Sequence, residues 1–238
     1  MNEIRIHENI FKQYPTFRRG IVVAAKIQNQ GHSAQLDSIL NQAVAAAAEQ
    51  PIDLQSDPRL TSWNQVHRQF NSNPNKFPPA HYALLKRVQK PGSNIPFINK
   101  TVAIMNYNSI KAVMPVGGDD LTRAGEILEL RHADGTEIFT PLGQPEIQDH
   151  PLPGEVIYVV SETGQVMCRR WNWRNGHQTR ITETTHAIVM NIDGIGENSQ
   201  PQAQATRDQV ARMLEEYCQA ETITTMLSPS QMSFRFSL

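Results

Sequence analysis

Glu155-Val-Ile-Tyr-Val-Val160, Ser161-Glu-Thr-Gly164 and Val166-Met-Cys-Arg-Arg-Trp171 follow one another almost without a break. Two β-branched apolar runs of strand length, split by a polar turn ending in glycine, predict a β-hairpin. The same signature spreads outward from it. Glu126–Arg131, Thr136–Thr140 and Thr185–Ile192 are strand-like, and Asp134-Gly135, Pro153-Gly154 and Asn175-Gly176 supply turn chemistry between them. The second half therefore reads as a largely antiparallel β-sheet.

The first half has a different period. Gly20–Ile27 reads as a buried strand behind a Pro/Arg turn. From Gln35 to Glu49, Leu36, Ile39, Leu40, Ala43, Val44 and Ala47 share one helical face, with Ser33 as N-cap. Leu60–Phe70, His81–Val88 and Ile98–Met114 continue the helical spacing. Beyond the sheet, Thr206, Val210, Met213, Leu214 and Tyr217 mark one more helix, followed by a polar tail of low structural content. No repeat or long linker interrupts the chain. The expected fold is α+β, a single domain over residues 1–238 with helices in the first half packed on the sheet.

Composition narrows the class. The chain has 238 residues, 39% of them hydrophobic, and a formal net charge of -1. No window approaches the ~20 apolar residues of a membrane helix, and the N-terminus has charges where a signal peptide needs an apolar run. A cytoplasmic protein without a membrane partner is expected, and no feature sets an oligomeric state. Two distant cysteines and eight dispersed histidines make neither a disulfide framework nor a metal site. Phosphate-binding, dinucleotide-binding, nucleophile-elbow and zinc-protease motifs are absent, so no cofactor and no metal are expected.

Charge is sorted along the chain. Arg59 to Gly118 contains no acid but carries Arg59, Arg68, Lys76, Lys86, Arg87, Lys90, Lys100 and Lys111. Asp119 to Glu162 is rich in carboxylates. A basic face of this kind suits a polyanion such as nucleic acid, while scattered solvated charge explains the same pattern equally well.

Two polar loops fall in the acid-free runs. Arg68-Gln-Phe-Asn71-Ser-Asn73-Pro-Asn75-Lys76-Phe-Pro-Pro-Ala80 sets three asparagines and two cations between prolines. Such a loop can present amides to phosphate, ribose or a base edge, or can simply cap its own backbone. In Cys168-Arg-Arg-Trp-Asn-Trp-Arg174, strand alternation would put Arg169, Trp171 and Trp173 on one face and Arg170, Asn172 and Arg174 on the other. The tryptophans can stack on a base or fill the core.

These two loops, with Pro115-Val-Gly-Gly-Asp-Asp120, Pro153-Gly-Glu-Val-Ile-Tyr158 and Thr184-Thr185, resemble free-standing B3/B4-domain proteins. Those are similar to the editing domain in the β subunit of bacterial phenylalanyl-tRNA synthetase. The resemblance is strongest over residues 14–194. It implies a compact α+β fold and association with the aminoacylated acceptor end of tRNA, without ATP-dependent ligase activity. The synthetase domain hydrolyses tyrosine esterified to the wrong tRNA, using a histidine and a glutamate. By motif order those positions fall near Gly117-Gly118 and at about Asn191 here, so neither side chain is retained.

Two functions follow as expectations. One is trans-editing hydrolysis of a mischarged aminoacyl-tRNA, with Asp119, Asp120, Asn191 and Asp193 as the catalytic set. Arg68, Asn71, Asn73, Asn75, Lys76, Asn106, Asn108, Arg170, Asn172, Arg174 and Thr185 would then bind substrate. The other is a binding module that holds a free amino acid, a nucleoside or an RNA end without turnover. Asp119, Asp120 and Asp193 are the expected partners of any buried arginine in the Cys168–Arg174 segment.

Overall fold

A computed structural model describes residues 1–237. Among them, two sheets and six helices form a mixed α+β fold, with helices mainly in the first half and strands mainly in the second. The larger sheet has the order β10-β1-β4-β5-β6-β7, using Ser233–Phe236, Asn2–Ile6, Ile127–His132, Val156–Val160, Gln165–Arg169 and Arg174–Asn175. Its neighbours are antiparallel except for the parallel pair β1 and β4. The smaller sheet is wholly antiparallel, in the order β3-β8-β2-β9: Val116–Asp120, Ile188–Gly194, Arg18–Ala25 and Glu221–Leu227.

The smaller sheet is the central wall, and side-chain alternation along its strands divides the interior. Val22, Ala24, Ile188, Met190 and Ile192 face a core built with helices α2 (Ala34–Glu49), α5 (Lys100–Ala112) and α6 (Ser199–Cys218). Ile21, Val23 and Val189 face a second core shared with the larger sheet, Trp63 and Trp171. Both faces being buried, a one-residue slip of β2 or β8 would exchange two cores, so register is firmly specified.

The β5–β6 hairpin forms as read, with Tyr158 opposite Cys168 and a bulge before Val159. Ser33 caps α2 by accepting from Leu36 N at 3.3 Å. Helices α3 (Pro58–Gln69) and α4 (Ala80–Val88) also match their spacing. Three expectations fail. Thr136–Thr140 makes only isolated bridges rather than a strand. Asn175 belongs to β7, and the reversal precedes it, at residues 170–173. The C-terminal segment is no unstructured tail: it supplies β9 to one sheet and β10 to the other. Polar Thr222, Thr224 and Thr225 hid β9, because an edge strand needs only one apolar face. No helix is long and apolar enough to cross a membrane among the described residues.

Two strands outside the expected architecture thus close both sheets. A chain ending at Gln219 is expected to lose cooperative thermal unfolding, since β2 and β1 would each lose a hydrogen-bonded neighbour. An unchanged melting temperature would contradict that coupling.

Candidate functional site

A cavity of about 450 Å³ opens where the free edge of the smaller sheet meets the larger sheet. Gly117 and Asp119 of β3, Asn191 and Asp193 of β8 and Arg19 of β2 share the sheet face that lines it. Tyr158 and Cys168 come from the hairpin, residues 171–173 from the reversal after β6, and Arg174 and Asn175 from β7. Ala83, Leu84 and Arg87 of α4 and Met105, Asn106 and Ser109 of α5 complete the wall.

The junction between α5 and β3 is a tight one. Val113 adopts a left-handed conformation at φ 53, unusual for a β-branched residue. Ser109 Oγ holds the turn by donating to Met114 O at 2.9 Å and accepting from Val116 N at 3.1 Å. The two regions picked out by motif order lie on neighbouring strands, with Gly117 opposite Asn191 and Gly118 opposite Met190. A Cβ on Gly117 would meet nothing within 4 Å, whereas one on Gly118 would lie 3.1 Å from Val189 O.

The floor is built on a buried ion pair. Arg19 donates Nε–H and Nη2–H to the two oxygens of Asp193 at 2.7 and 2.8 Å. Trp171 Nε1–H donates to Asp193 Oδ2 at 3.0 Å. The guanidinium also lies over the Tyr158 ring, 4.9 Å from its centroid. Asp193 therefore accepts three hydrogen bonds, two of them from its charge partner. Among the described residues, Arg19 Nη1 and Asn172 Nδ2 are buried without a hydrogen-bond partner, and the Tyr158 hydroxyl lies beside the Asn191 amide. Four segments of the chain thus bring polar side chains to one cavity.

Strand alternation does not continue through the tryptophan segment. β6 ends at Arg169, and Arg170 and Trp171 take φ values of 47 and 64. Two successive left-handed residues other than glycine are costly, and their surroundings must enforce them. Glu155 does much of this. It holds Arg169 through two hydrogen bonds at 2.8 and 2.7 Å, accepts from Arg170 N at 3.1 Å and lies 3.5 Å from the Arg170 guanidinium. The partner of buried Arg170 is thus Glu155, not Asp119, Asp120 or Asp193. The Arg170 guanidinium stacks on Phe77 at 3.8 Å from the ring centroid, and Phe77 meets Trp173 edge-on. Trp171 turns into the core against Tyr14, Phe17 and Trp63.

The reversal leaves Asn172 facing the cavity and anchored behind it. His67 Nε2 lies 3.0 Å from Asn172 Oδ1, and Ala80 N donates to Asn172 O at 2.8 Å. Burial pushes His67 down from 6.5 to about 4, so its ring is neutral near pH 7.

The two neighbouring aspartates are not equivalent. Asp119 accepts from Thr179 Oγ1 at 2.6 Å, and its other oxygen takes no hydrogen bond among the described residues. Burial raises its pKa from 3.8 to about 6, with the Thr179 hydrogen bond and the Arg19 charge pulling back. Asp120 points elsewhere, accepting from Thr122 and from Thr185 Oγ1 at 2.6 Å. Burial raises the Cys168 thiol above its ordinary range, which disarms it as a nucleophile.

Of the residues read from sequence, Asp119, Asp193, Asn191, Asn106, Asn172 and Arg174 line the cavity. Asp120, Thr185, Asn108 and Arg170 are buried but do not line it; Asn108 is spent on Ile104 O and Met213 Sδ. Arg68, Asn71, Asn73, Asn75 and Lys76 are exposed away from it. Asn73 Oδ1 caps Asn75 N at 2.9 Å and Asn71 takes φ 62, so both serve their own turn. Arg19, Tyr158 and His67 went unrecognised. Arg19 hid at the mouth of an apolar strand; the signal was its position in that strand's alternation, on the face that Ile21 and Val23 also use.

The model of one protein family, described as B3/4 domain, matches residues 62–219. No curated protein sequence matches the chain. Among solved structures it is similar to the crystal structure of an N-terminal fragment of the phenylalanyl-tRNA synthetase beta-subunit from Pyrococcus horikoshii. The TM-score is 0.48 at 10% identity, covering 94% of this chain and 53% of that one. This chain spans about half the length of that structure.

Asp119 leaves a signature in stability. Between pH 4 and 6 the native carboxyl keeps a proton that the unfolded one has released, so its contribution to stability falls as pH rises through that window. Urea unfolding should therefore show the advantage of Asp119→Asn over wild type growing from pH 4 to about 6 and levelling above it. A difference constant with pH would contradict the raised pKa. In the same assay Gly117→Ala should be nearly neutral and Gly118→Ala destabilising, since only the second meets backbone.

Proposed function

Because the chain belongs to the B3/4 domain family, we propose that its cavity receives the aminoacylated end of a tRNA in the cytoplasm and that Asp119 activates water to hydrolyse the ester. The observation that carries this reading is Asp119 itself: a cavity-lining carboxylate with one free oxygen and a pKa raised to about 6. A general base is most effective when its pKa lies close to the working pH. Asp193 is a weaker candidate, because its carboxylate is tied up in an ion pair with Arg19 and a hydrogen bond from Trp171.

The step balances without a protein nucleophile. Asp119 takes a proton from water as the hydroxide adds to the ester carbonyl carbon. The bond from that carbon to the ribose oxygen then breaks, and the proton passes from Asp119 to the departing oxygen. Free amino acid and uncharged tRNA result. Holding ester and water together in a closed site supplies much of the acceleration. Arg87 and Arg174 at the cavity, with exposed Lys86 on the same helix as Arg87, provide the cations that a phosphate backbone requires.

One consideration favours binding without turnover: near Gly117-Gly118 and at about Asn191, where the resemblance sets a histidine and a glutamate, neither side chain is present. A panel of mischarged tRNAs separates the two readings. Hydrolysis should exceed the uncatalysed rate for at least one aminoacyl group and rise with pH to a plateau above about 6. Asp119→Asn should lower the rate by roughly 10² or more. Stabilisation by an amino acid with no hydrolysis of any tRNA would establish the binding module instead.

A further inference from the structure

The edge of β3 that turns away from β8 is closed at both ends and open in the middle. Leu121 N donates to Ala187 O at 3.0 Å and Asp193 N to Pro115 O at 3.1 Å, in the same register that sets Gly117 opposite Asn191. Antiparallel pairs alternate between those that exchange hydrogen bonds and those that do not. Gly117 and Asp119 therefore bond to β8, while the N–H and C=O of Val116, Gly118 and Asp120 point the other way. Val116 N is taken by Ser109 Oγ at 3.1 Å, and Asp120 N by Thr179 O at 2.8 Å. Gly118 N–H, between them, makes no hydrogen bond among the described residues.

Gly118 is buried and lines the cavity, yet it has no side chain with which to do so. A Cβ there would point at Val189 O, Met190 and Ile181. What Gly118 presents to the cavity is its main chain. A buried backbone N–H without a partner is rare, and it costs about as much as a lost hydrogen bond. Shape limits what can satisfy it. In a bonded antiparallel pair two residues exchange N–H and C=O, so the donor and acceptor of one edge residue match those of one opposing residue. A longer peptide would also need the N–H groups of the flanking edge residues, and those are spent on Ser109 and Thr179. The open edge suits a single amino acid residue.

Resting on the reading of the cavity as an aminoacyl site, we propose that Gly118 binds the main chain of the aminoacyl group, its N–H donating to the acyl carbonyl oxygen and its C=O accepting from the α-amino group. Recognition then falls on what all aminoacyl esters share, and the choice of side chain is left to the other walls. The same contact serves the reaction. When hydroxide adds to the acyl carbon, the carbonyl electron pair moves onto the oxygen held by Gly118 N–H. It returns to re-form the carbonyl as the bond to the ribose oxygen breaks. A fixed backbone donor at that oxygen stabilises the charge as it develops. Asp119, which takes the proton from water, is the next residue on the strand.

The test is amide hydrogen exchange followed by NMR on the wild-type protein. The probes are 3′-aminoacylamino-3′-deoxyadenosines carrying alanine, methionine or tyrosine, with 3′-amino-3′-deoxyadenosine as the form that lacks an acyl group. In the free protein the Gly118 amide should exchange faster than those of Gly117 and Asp119, which the β8 ladder protects. An acylated probe should slow that exchange at least about 10-fold and move the amide proton downfield, while the unacylated form should do neither. A Gly118 amide as protected as its neighbours in the free protein would overturn the proposal, because the donor would already be engaged. So would an acylated probe that shifts the side-chain amides of Asn172 and Asn191 but leaves Gly118 unchanged; the cavity would then remain an aminoacyl site. Stronger protection by N-acetyl-tetraalanine amide than by any aminoacyl probe would make the edge a peptide site instead. Glycolic acid in place of Gly118 removes the N–H by turning the amide into an ester. Per folded protein, it should slow hydrolysis of the best mischarged tRNA roughly 100-fold. An unchanged rate would remove Gly118 from the chemical step. Protection of Gly118 by an acylated probe with no tRNA hydrolysed keeps the pairing and removes the hydrolase. No response of any cavity resonance to any probe removes both.

Discussion

Asp193 holds the molecule together at the point where it has a cavity to keep open. Its two oxygens accept from Arg19 on one strand of the smaller sheet and from Trp171 at the end of a strand of the larger one. The bonds are buried, so losing one partner would strand a charge away from water, at a cost of several kcal/mol, about 3–5 for a broken buried pair. Hydrophobic packing could join two sheets more cheaply. The ion pair also fixes where Arg19 Nη1 and the start of the reversal at residues 170–173 must lie.

From that constraint the rest of the site follows in order. Trp171 can reach Asp193 only if the chain leaves β6 abruptly, and the two left-handed residues are that departure. Glu155 enforces it from behind through Arg169 and Arg170. The departure delivers Asn172 to His67, which is buried, neutral and fixed on α3. Opposite, Ser109 and strained Val113 swing α5 directly into β3, carrying Asp119 into the same space. The cavity is bounded by devices that cost stability locally, as expected where geometry serves a ligand and not packing.

Much of this architecture was legible in the chain because periodicity reports burial. The hairpin, the helix read from Gln35 and the strand read from Gly20 all declare themselves by apolar spacing, within two residues of where their elements begin. β3 did not, since Val-Gly-Gly-Asp-Asp has little β propensity and is held by its neighbour β8. β9 did not, because an edge strand with a solvent-facing side carries threonines where a central strand carries valines. In the site, Asp119, Asn172 and Asn191 stood out as polar residues next to strands, and they do converge. The asparagine loop stood out for the same reason and does not, because asparagine also satisfies turns. Arg19 had only its place in the alternation of its strand to mark it, and the pairing of β2 with β8 is what sets it opposite Asp193.

The most direct test of the account is a crystal structure of the protein with a non-hydrolysable 3′-aminoacylamino-adenosine. The account predicts the aminoacyl group inside the cavity, with Asp119 beside the carbonyl that replaces the ester, close enough to hold a water between them. A ligand bound outside the cavity, or one inside it with that carbonyl far from Asp119, would contradict it.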